Sequence, residues 1–152
     1  MIIIGVDPDS KAHGVAIYDG GELISLEAMP LVKFFGYLED LMSSFHYTQI
    51  QVHIEDVKAQ KAVWHNKKGS QASYGMTCQR VGMCKQAQVE LERVCEYFGI
   101  EVVRHKISKI WKDQAGKKQF EKVTGWAKKS NEDTRSAAYF GWVGSRTRTV
   151  LS

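Results

Sequence analysis

The sequence predicts an α/β domain in which helices cover a mixed five-stranded β-sheet. Two observations support this prediction, namely the composition and the order of the apolar segments. The chain has 152 residues, of which 43% are hydrophobic and 25% are charged, as is typical of a globular domain. The segments follow the order β-β-β-α-β-α-β-α-α, so that a meander of three strands is followed by strands joined through helical crossovers. We expect one domain over residues 1–145 and a flexible tail over residues 146–152.

The first three strands are predicted to form an antiparallel meander. Residues 2–6 read Ile-Ile-Ile-Gly-Val, a run too apolar for a half-exposed strand, and they predict a central strand that ends before Pro8. Residues 13–18 and 22–28 predict the second and third strands. The Asp-Gly-Gly sequence between them is typical of a hairpin turn.

The middle of the chain is predicted to contain two helices and one strand. Apolar residues at steps of three and four predict an amphipathic helix over 31–45, and strict alternation predicts a strand over 49–55. Residues 57–71 are polar and basic and indicate a loop. A long helix follows from about residue 72 to 98, with two apolar stripes, one of which could face a partner subunit.

The last third is predicted to be mainly helical. Gly99 is a reasonable helix stop, and residues 100–103 predict a short strand. Helices are predicted near 107–113, 117–128 and 132–142.

Charge is distributed unevenly along the chain, although the net charge is only +4. Residues 1–57 carry 2 basic and 9 acidic side chains, which gives −7, whereas residues 58–129 carry 16 and 6, which gives +10. A basic segment of this kind is typical of a protein that binds a polyanion, and the acidic segment then has a separate task. No apolar run has the length of a membrane span. We therefore expect a cytoplasmic protein with no membrane partner.

Carboxylates occur where predicted strands end or a predicted helix begins. Asp7 follows the first strand, Glu55 ends the fourth, and Glu132 and Asp133 begin the last helix. The first and fourth strands are expected to be neighbours, which brings Asp7 and Glu55 close together. Two like charges repel unless a cation lies between them. Because Mg²⁺ and Mn²⁺ prefer oxygen ligands, this pattern predicts a metal-dependent phosphoryl-transfer site.

Each carboxylate also has a purely structural interpretation. Asp7 before a proline is common in turns, and Glu55 can be an exposed strand end. Asp133 can belong to an N-terminal capping box with Ser130 as the cap. The joint occurrence of the carboxylates in this order favours the metal site.

Six segments occur in an order that one family of nucleases shares. They are residues 4–10, 13–16, 52–55, 79–82, 107–112 and 131–138. Together they resemble the motifs of RuvC-type Holliday junction resolvases, which are members of the RNase H-like nuclease superfamily. The Trp111-Lys112 pair resembles a segment common in phage-type members. The resemblance extends from about residue 2 to residue 142.

The resemblance implies an RNase H-like fold, a homodimer, and paired nicks placed symmetrically across a four-way DNA junction. It implies two Mg²⁺ ions for phosphodiester hydrolysis, with Mn²⁺ as a substitute and no organic cofactor. Asp7, Glu55 and Asp133 would be the catalytic metal ligands. The closing motif departs from the family pattern, because the position of the second acidic or metal-binding group is Ser136. Either Asp133 alone supplies the helix ligand, or Glu132 joins it.

Basic residues form two clusters that are candidates for DNA binding. Phosphate contacts by such clusters release counterions and make binding depend on salt. Trp64, within the first cluster, could stack on an exposed base. The candidates are Lys58, Lys61, Trp64, Lys67, Lys68, Arg80, Lys85, Lys109, Lys112, Lys117 and Lys118.

The leading functional hypothesis is a structure-selective, Mg²⁺-dependent endonuclease that acts on branched DNA. If the chain is of phage origin, it would act in the host cytoplasm. A junction-binding protein that has lost cleavage is the non-enzymatic alternative, motivated by Ser136. A nuclease for RNA–DNA hybrids or flaps is a third possibility. An actin-like or sugar-kinase ATPase is excluded, because that duplicated fold needs about twice this length.

Overall fold

A computed structural model describes residues 1–59 and 71–151. Within these ranges five strands form one sheet, in the spatial order β3-β2-β1-β4-β5. The strands are β1 (Ile2–Asp7), β2 (His13–Asp19), β3 (Glu22–Met29), β4 (Ile50–Glu55) and β5 (Glu101–His105). The helices in the same ranges are α1 (Leu31–Met42), α2 (Gln71–Phe98), α3 (Gln114–Thr124) and α4 (Glu132–Leu151). None of the helices described is long and apolar enough to cross a membrane.

The sheet is mixed, as the sequence predicts. β2 pairs antiparallel with both β1 and β3, whereas β1 pairs parallel with β4, and β4 pairs parallel with β5. The parallel pairs require crossover connections, and helices supply them. The predicted five-stranded mixed sheet is confirmed.

Both faces of the central strand β1 are buried, which explains its continuous apolar sequence. On one face, Ile2, Ile4 and Val6 belong to a core to which α1 and α2 contribute. On the other face, Ile3 packs in a second core with residues of α3 and α4. Because side chains alternate along a strand, Asp7 lies on the α4 face.

Helix α4 lies at backbone contact distance from β1 and β2. A Cβ atom at Gly5 would lie 1.9 Å from the carbonyl oxygen of Ala137, and one at Gly14 would lie 2.3 Å from the carbonyl oxygen of Asp133. The hydroxyl of Tyr18 donates to the carbonyl oxygen of Ala138 at 2.6 Å. The two strand glycines therefore determine how closely the helix approaches the sheet.

A row of hydrogen-bonded polar side chains crosses β4 and β5 on the α4 face. Glu101 Oε2 accepts a hydrogen bond from Gln51 Nε2 at 2.7 Å. The side-chain oxygen of Gln51 then faces His53 and accepts a hydrogen bond from His53 Nε2, also at 2.7 Å. His53 Nδ1 then accepts from His105 Nε2 at 2.7 Å. Burial lowers the pKa of His105, which favours the neutral ring that this chain of donors requires.

The helix predicted over residues 107–113 is wrong. This segment is an irregular loop, and Trp111 adopts a left-handed backbone conformation with φ of 70°, which interrupts any helix. Helix α3 begins only at Gln114, where Asp113 caps it by accepting from the amide of Gly116 at 2.6 Å. It ends at Gly125, which has φ of 72°, before the predicted end at residue 128.

The last helix continues to Leu151, past the predicted end at residue 142, and the flexibility of residues 146–152 stays a prediction. Two local contacts support the extension. The Thr147 hydroxyl donates to the carbonyl oxygen of Val143 at 2.9 Å, and the Arg146 guanidinium lies 4.6 Å from the centre of the Trp142 ring.

The structure limits the predicted loop at both ends. Residues 57–59 form one turn of 3-10 helix, and Gln71 already belongs to α2. Most of the loop predicted over 57–71 lies outside the described residues. At the other boundaries, α1 ends at Met42, before the predicted residue 45, and β5 extends two residues past the predicted strand end at 103.

We predict that Gly5→Ala destabilises the protein by about 1–3 kcal/mol or more, because the new methyl group would overlap the backbone of α4. The matched control is Gly36→Ala in α1, where a Cβ atom meets nothing within 4 Å. That substitution should be neutral or stabilising by up to about 1 kcal/mol. Urea unfolding of both variants measures the difference, and equal stabilities would contradict the close approach.

Candidate active site

Two carboxylates lie side by side at adjoining strand ends. Asp7 ends β1 and Glu55 ends β4, and the two residues are only 5% and 4% exposed. Burial and, after it, the negative charge of Glu55 raise the pKa of Asp7 to about 8. Asp7 and Glu55 therefore lie close together, as predicted, and their negative charges repel each other in a buried position.

One oxygen of this pair has no hydrogen-bond donor. Asp7 Oδ2 is buried and accepts no hydrogen bond from any described residue, a costly state for a carboxylate oxygen. A divalent cation would satisfy it and would relieve the repulsion between Asp7 and Glu55, since hard cations take carboxylate oxygens. Asp7 and Glu55 thus fit the Mg²⁺ that the sequence predicts.

No third metal ligand joins this pair among the described residues. Across residues 1–59 and 71–151, no group of three or more His, Cys, Asp or Glu side chains is arranged to hold a metal ion. Asp7 and Glu55 lie together in the described part of the chain, and Asp133 as a third ligand stays a prediction.

Among the described residues, Lys112 is the cation that forms an ion pair with this pair of carboxylates. Its Nζ lies 3.6 Å from Asp7 Oδ2, and its side chain is 28% exposed. Burial lowers the pKa of Lys112, but the charges of Asp7, Glu55 and Asp133 outweigh this effect and hold the pKa above its usual value. The ammonium therefore faces all three predicted acidic ligands.

The loop between β5 and α3, which we call the 106–113 loop, brings Lys112 to the site. The amide of Ser108 donates to Glu55 Oε1 at 3.4 Å. Arg135, on α4, donates to the carbonyl oxygens of Trp111 at 2.8 Å and Lys112 at 2.7 Å. The Trp111 ring is 2% exposed and packs within the α4-side core. Hydrogen bonds to its backbone and the burial of its tryptophan side chain therefore hold the loop in place.

Asp133 and Lys112 influence each other electrostatically. Asp133 is exposed in the first turn of α4, and its pKa is raised by partial burial and by the charges of Asp9 and Glu132, while Lys112 opposes this. Glu132 is also exposed. Asp133 and Glu132 are thus exposed at the start of α4, whereas Asp7 and Glu55 are buried.

The cap of α4 differs from the capping box predicted with Ser130. Asn131 Oδ1 accepts from the amide of Thr134 at 2.9 Å, and Thr134 Oγ1 accepts from the amide of Asn131 at 2.9 Å. Asn131 is the cap because its side chain satisfies a free amide of the first turn. Ser130 instead accepts from Arg135 at 3.1 Å, and Asp133 has no capping role.

Ser136 is buried beside Asp7. Its side chain is 1% exposed, and its hydroxyl lowers the pKa of Asp7, although the contact does not reach hydrogen-bond geometry. The position that the family pattern gives to an acidic group therefore does face the site, with a hydroxyl in place of a carboxylate.

The predicted DNA-binding residues are in varied settings. Lys58 forms ion pairs with Glu92, which Arg104 also contacts, so its charge is already used within the protein. Arg80, Lys109 and Lys118 are exposed, whereas Lys85 and Lys117 are partly buried. Lys61, Trp64, Lys67 and Lys68 lie outside the described residues.

Sequence reasoning missed two groups of this site, Arg135 and the amide of Ser108. An arginine in the closing motif gives no signal that it points inward, because its partners are backbone carbonyls 23 and 24 residues earlier. Lys112 was predicted for DNA and is found against a carboxylate.

No protein-family model matches the sequence, and no curated protein matches it. Solved structures share its fold, among them two structures of RuvC from Thermus thermophilus. RuvC from Thermus thermophilus in complex with a Holliday junction substrate matches with a TM-score of 0.58 and 12% identity, over 98% of this chain and 96% of that one. A second Thermus thermophilus RuvC structure matches with a TM-score of 0.54 and 14% identity, over 99% and 97%. At these identities the likeness concerns the fold, and the predicted RNase H-like fold is confirmed.

We predict that Asp7→Asn stabilises the protein in the presence of a chelator. Asp7 has a folded pKa of about 8 against an unfolded value of 3.8. The folded state therefore holds a proton that the unfolded chain releases between these values, so stability falls as pH rises from about 4 to 8. The variant should lack this dependence and unfold about 3–8 °C higher at pH 8.

Scanning calorimetry at pH 5 and pH 8 measures this effect. Added Mg²⁺ should raise the unfolding temperature of the unmodified protein and leave that of Asp7→Asn unchanged, since only the folded pair binds the ion. A variant less stable than the unmodified protein at pH 8 in chelator would contradict the crowded pair.

Proposed function

We propose that the protein is a divalent-cation-dependent endonuclease that cuts branched DNA, with the four-way junction as its preferred substrate. The single observation that carries this proposal is the buried pair of Asp7 and Glu55, with its unsatisfied oxygen, on a fold shared with RuvC. The proposed cofactor is Mg²⁺, with Mn²⁺ as a substitute. Mg²⁺ at Asp7 and Glu55 would neutralise negative charge on the scissile phosphodiester.

The residues of the site suit this chemistry. In hydrolysis, an oxygen of water forms a bond to phosphorus, the bond from phosphorus to the leaving oxygen breaks, and the leaving oxygen takes up a proton. Asp7 and Glu55 would hold the cation, which would supply positive charge for the reacting phosphate. Asp133 is exposed at the start of α4. Hydrolysis with two ions, which the resemblance implies, stays a prediction.

A homodimer is part of the proposal, because paired nicks across a junction need two active sites. Helix α2 offers an apolar surface for it, with the side chains of Met76 and Met83 exposed by 55% and 46%. These two methionines lie on one of the two apolar stripes of α2, either of which could face a partner subunit. Contacts of this kind are typical of subunit interfaces.

Branched DNA as the ligand is supported by charge. The basic residues between 58 and 129 outnumber the acidic ones by ten, and Arg80, Lys109 and Lys118 are exposed within this segment. Exposed cations of this kind bind phosphates without reading sequence, which suits recognition of DNA shape.

We predict that the protein cuts a synthetic four-way junction in Mg²⁺ and Mn²⁺, and that Asp7→Asn and Glu55→Gln each reduce cutting by at least 100-fold. Linear duplex, a flap and an RNA–DNA hybrid are offered in parallel, and the products are resolved on a denaturing gel. Tight binding of the junction without cutting in either metal would favour the architectural alternative. Preferred cutting of hybrids or flaps would favour the third hypothesis.

We predict that binding weakens with salt and that each basic contact adds to the slope. Lys109→Gln and Lys118→Gln should each reduce the slope of log K against log salt concentration by about 1. The control is Lys33→Gln, because Lys33 lies in the acidic first part of the chain and pairs with Glu27 at 2.7 Å. Fluorescence anisotropy with a labelled junction between 50 and 200 mM salt, roughly the range in which such binding changes most, measures the slopes. An unchanged slope for both variants would remove these lysines from the interface.

A further inference from the structure

We propose that a cavity between the segment that joins β1 to β2 and helix α2 binds an unstacked nucleobase of the DNA substrate. This inference rests on the proposed nuclease function and adds a base-binding site next to the carboxylate pair. The cavity, which we call the His13 pocket, is lined by Asp9, His13, Leu31, Met83 and Ala87 together with polar residues at its rim. Its volume is about 300 Å³, at the lower end of the range for small-molecule sites.

His13 contributes a hydrogen-bond donor to this pocket. The residue is 3% exposed, and burial lowers its pKa to about 4, so the ring is neutral at neutral pH and carries one N–H. The backbone amide of Asp9 donates to His13 Nδ1 at 3.2 Å, which places the proton on Nε2. No described residue forms a hydrogen bond with Nε2, yet this atom is not fully enclosed. Nε2–H is therefore available to a ligand in the pocket that the ring lines.

The apolar lining suits the face of a planar ring. Leu31 begins α1, and Met83 and Ala87 lie one turn apart on α2. Met83 is 46% exposed, and a flexible thioether adapts well to an aromatic ring. These side chains offer an apolar surface to a base, and the N–H of His13 suits an acceptor on the edge of that base.

Acceptors are also present at the pocket. The side-chain amide of Gln86 donates to Glu90 Oε1 at 2.9 Å, which leaves the side-chain oxygen of Gln86 as an acceptor. Asp9 Oδ2 accepts from the amide of Lys11 at 3.4 Å, and a carboxylate oxygen has further acceptor capacity. The pocket therefore combines one buried donor with acceptors, as the edge of a nucleobase requires.

Charge and polarity select the nucleobase among possible occupants. The pocket is lined by two carboxylates, Asp9 and Glu90, and by one exposed lysine, Lys11, so it disfavours a free phosphate or another anion. An apolar side chain of a partner protein would leave the N–H of His13 without an acceptor, which is unfavourable for a buried donor. A nucleobase is uncharged, has apolar faces and carries acceptors beside donors on its edge.

The His13 pocket adjoins the carboxylate pair. Asp9 lies two residues after Asp7, and Cys84 Sγ of α2 lies 4.0 Å from Asp9 Oδ1. The charges of Asp7 and Asp133 also act on Cys84, and the charge of Asp9 acts on Asp133. Asp9 therefore borders both the pocket and the site. A base in the pocket would belong to a nucleotide close to the phosphate at the carboxylates.

This position gives the pocket a role in choosing branched DNA. A base that leaves the stack costs free energy, and the cost is smallest where pairing or stacking is already interrupted. The point at which strands exchange in a four-way junction is such a place, whereas a linear duplex has none. Binding of an unstacked base would therefore favour the junction over the duplex.

The test measures the coupling between a base and the pocket. Labelled four-way junctions carry one abasic nucleotide, placed in turn at each position near the exchange point. Their binding to the full-length protein is measured by fluorescence anisotropy in the presence of a chelator, so that no cutting occurs. We expect one abasic position to weaken binding by about 10-fold, as is typical for the loss of one stacked base.

Two variants alter the pocket and one serves as a control. Ala87→Leu fills the pocket from α2. It should weaken binding of the intact junction by about the same factor, and the abasic position should then have no further effect. His13→Leu removes the N–H and should act in the same direction. The control Gly36→Leu adds a leucine on α1, where a Cβ atom meets nothing within 4 Å, and it should match the unmodified protein at every position.

Thermal unfolding shows which variants are folded. Ala87 is partly buried, whereas His13 is buried, so Ala87→Leu decides the question if His13→Leu does not fold. Identical dependence on the abasic position in Ala87→Leu and the unmodified protein would overturn the proposal. If Ala87→Leu also changes the subunit number in size-exclusion chromatography while this dependence stays identical, the pocket is a contact between subunits instead.

Failure of the proposed function gives a different result. A junction that is bound with the expected dependence on one base, but is cut in neither Mg²⁺ nor Mn²⁺, would contradict the nuclease and support the pocket. A junction that is cut, with the same dependence on bases in Ala87→Leu, would support the nuclease and contradict the pocket. A protein that binds no branched DNA would contradict both.

Discussion

The contact of helix α4 with the backbone of β1 and β2 determines the arrangement of the whole site. Gly5 and Gly14 leave no space between strand and helix, so α4 can lie at only one distance from the sheet and in only one rotation about its own axis. That placement brings Ser136 beside Asp7, leaves Asp133 exposed, and directs Arg135 toward the 106–113 loop. If α4 lay about 1 Å farther from the sheet, the three placements would be lost together, because the three residues lie within one turn and a half of the helix.

The 106–113 loop shows how an irregular segment can be as well defined as a helix. Its backbone carbonyls are bound by a buried guanidinium, its tryptophan is in the core, and its left-handed residue is held between α3 and α4. Such a conformation is strained for a residue with a side chain, and it persists where the surroundings determine it. The loop thereby combines two functions, since it completes a core and carries a charged group to the carboxylates.

Much of the fold could be predicted from the sequence, because periodicity reports burial. The continuous apolar run of β1 and the alternation that ends at Glu55 predicted two neighbouring strand ends, and so the meeting of Asp7 with Glu55. The clamp by Arg135 was not predictable, because a side chain that binds distant carbonyls leaves no local pattern. The helix predicted near Trp111 was wrong because distant contacts leave no local pattern there either. Its residues have acceptable helix propensity, but tertiary contacts override that propensity. The extension of α4 past residue 142 was not predicted, and it includes Gly144, where a Cβ atom would lie 2.5 Å from the His53 ring.

The polar row from Glu101 through the buried Gln51 and His53 to His105 has a consequence for the topology of the sheet. β5 is a five-residue strand at the edge, and apolar contacts alone would tolerate a shift of its pairing. A slip of one residue would reverse its faces and leave several buried donors and acceptors without partners at the same time. The row therefore favours a single pairing register of β5 with β4. Since the 106–113 loop begins where β5 ends, this register also determines how many residues separate the sheet edge from Lys112.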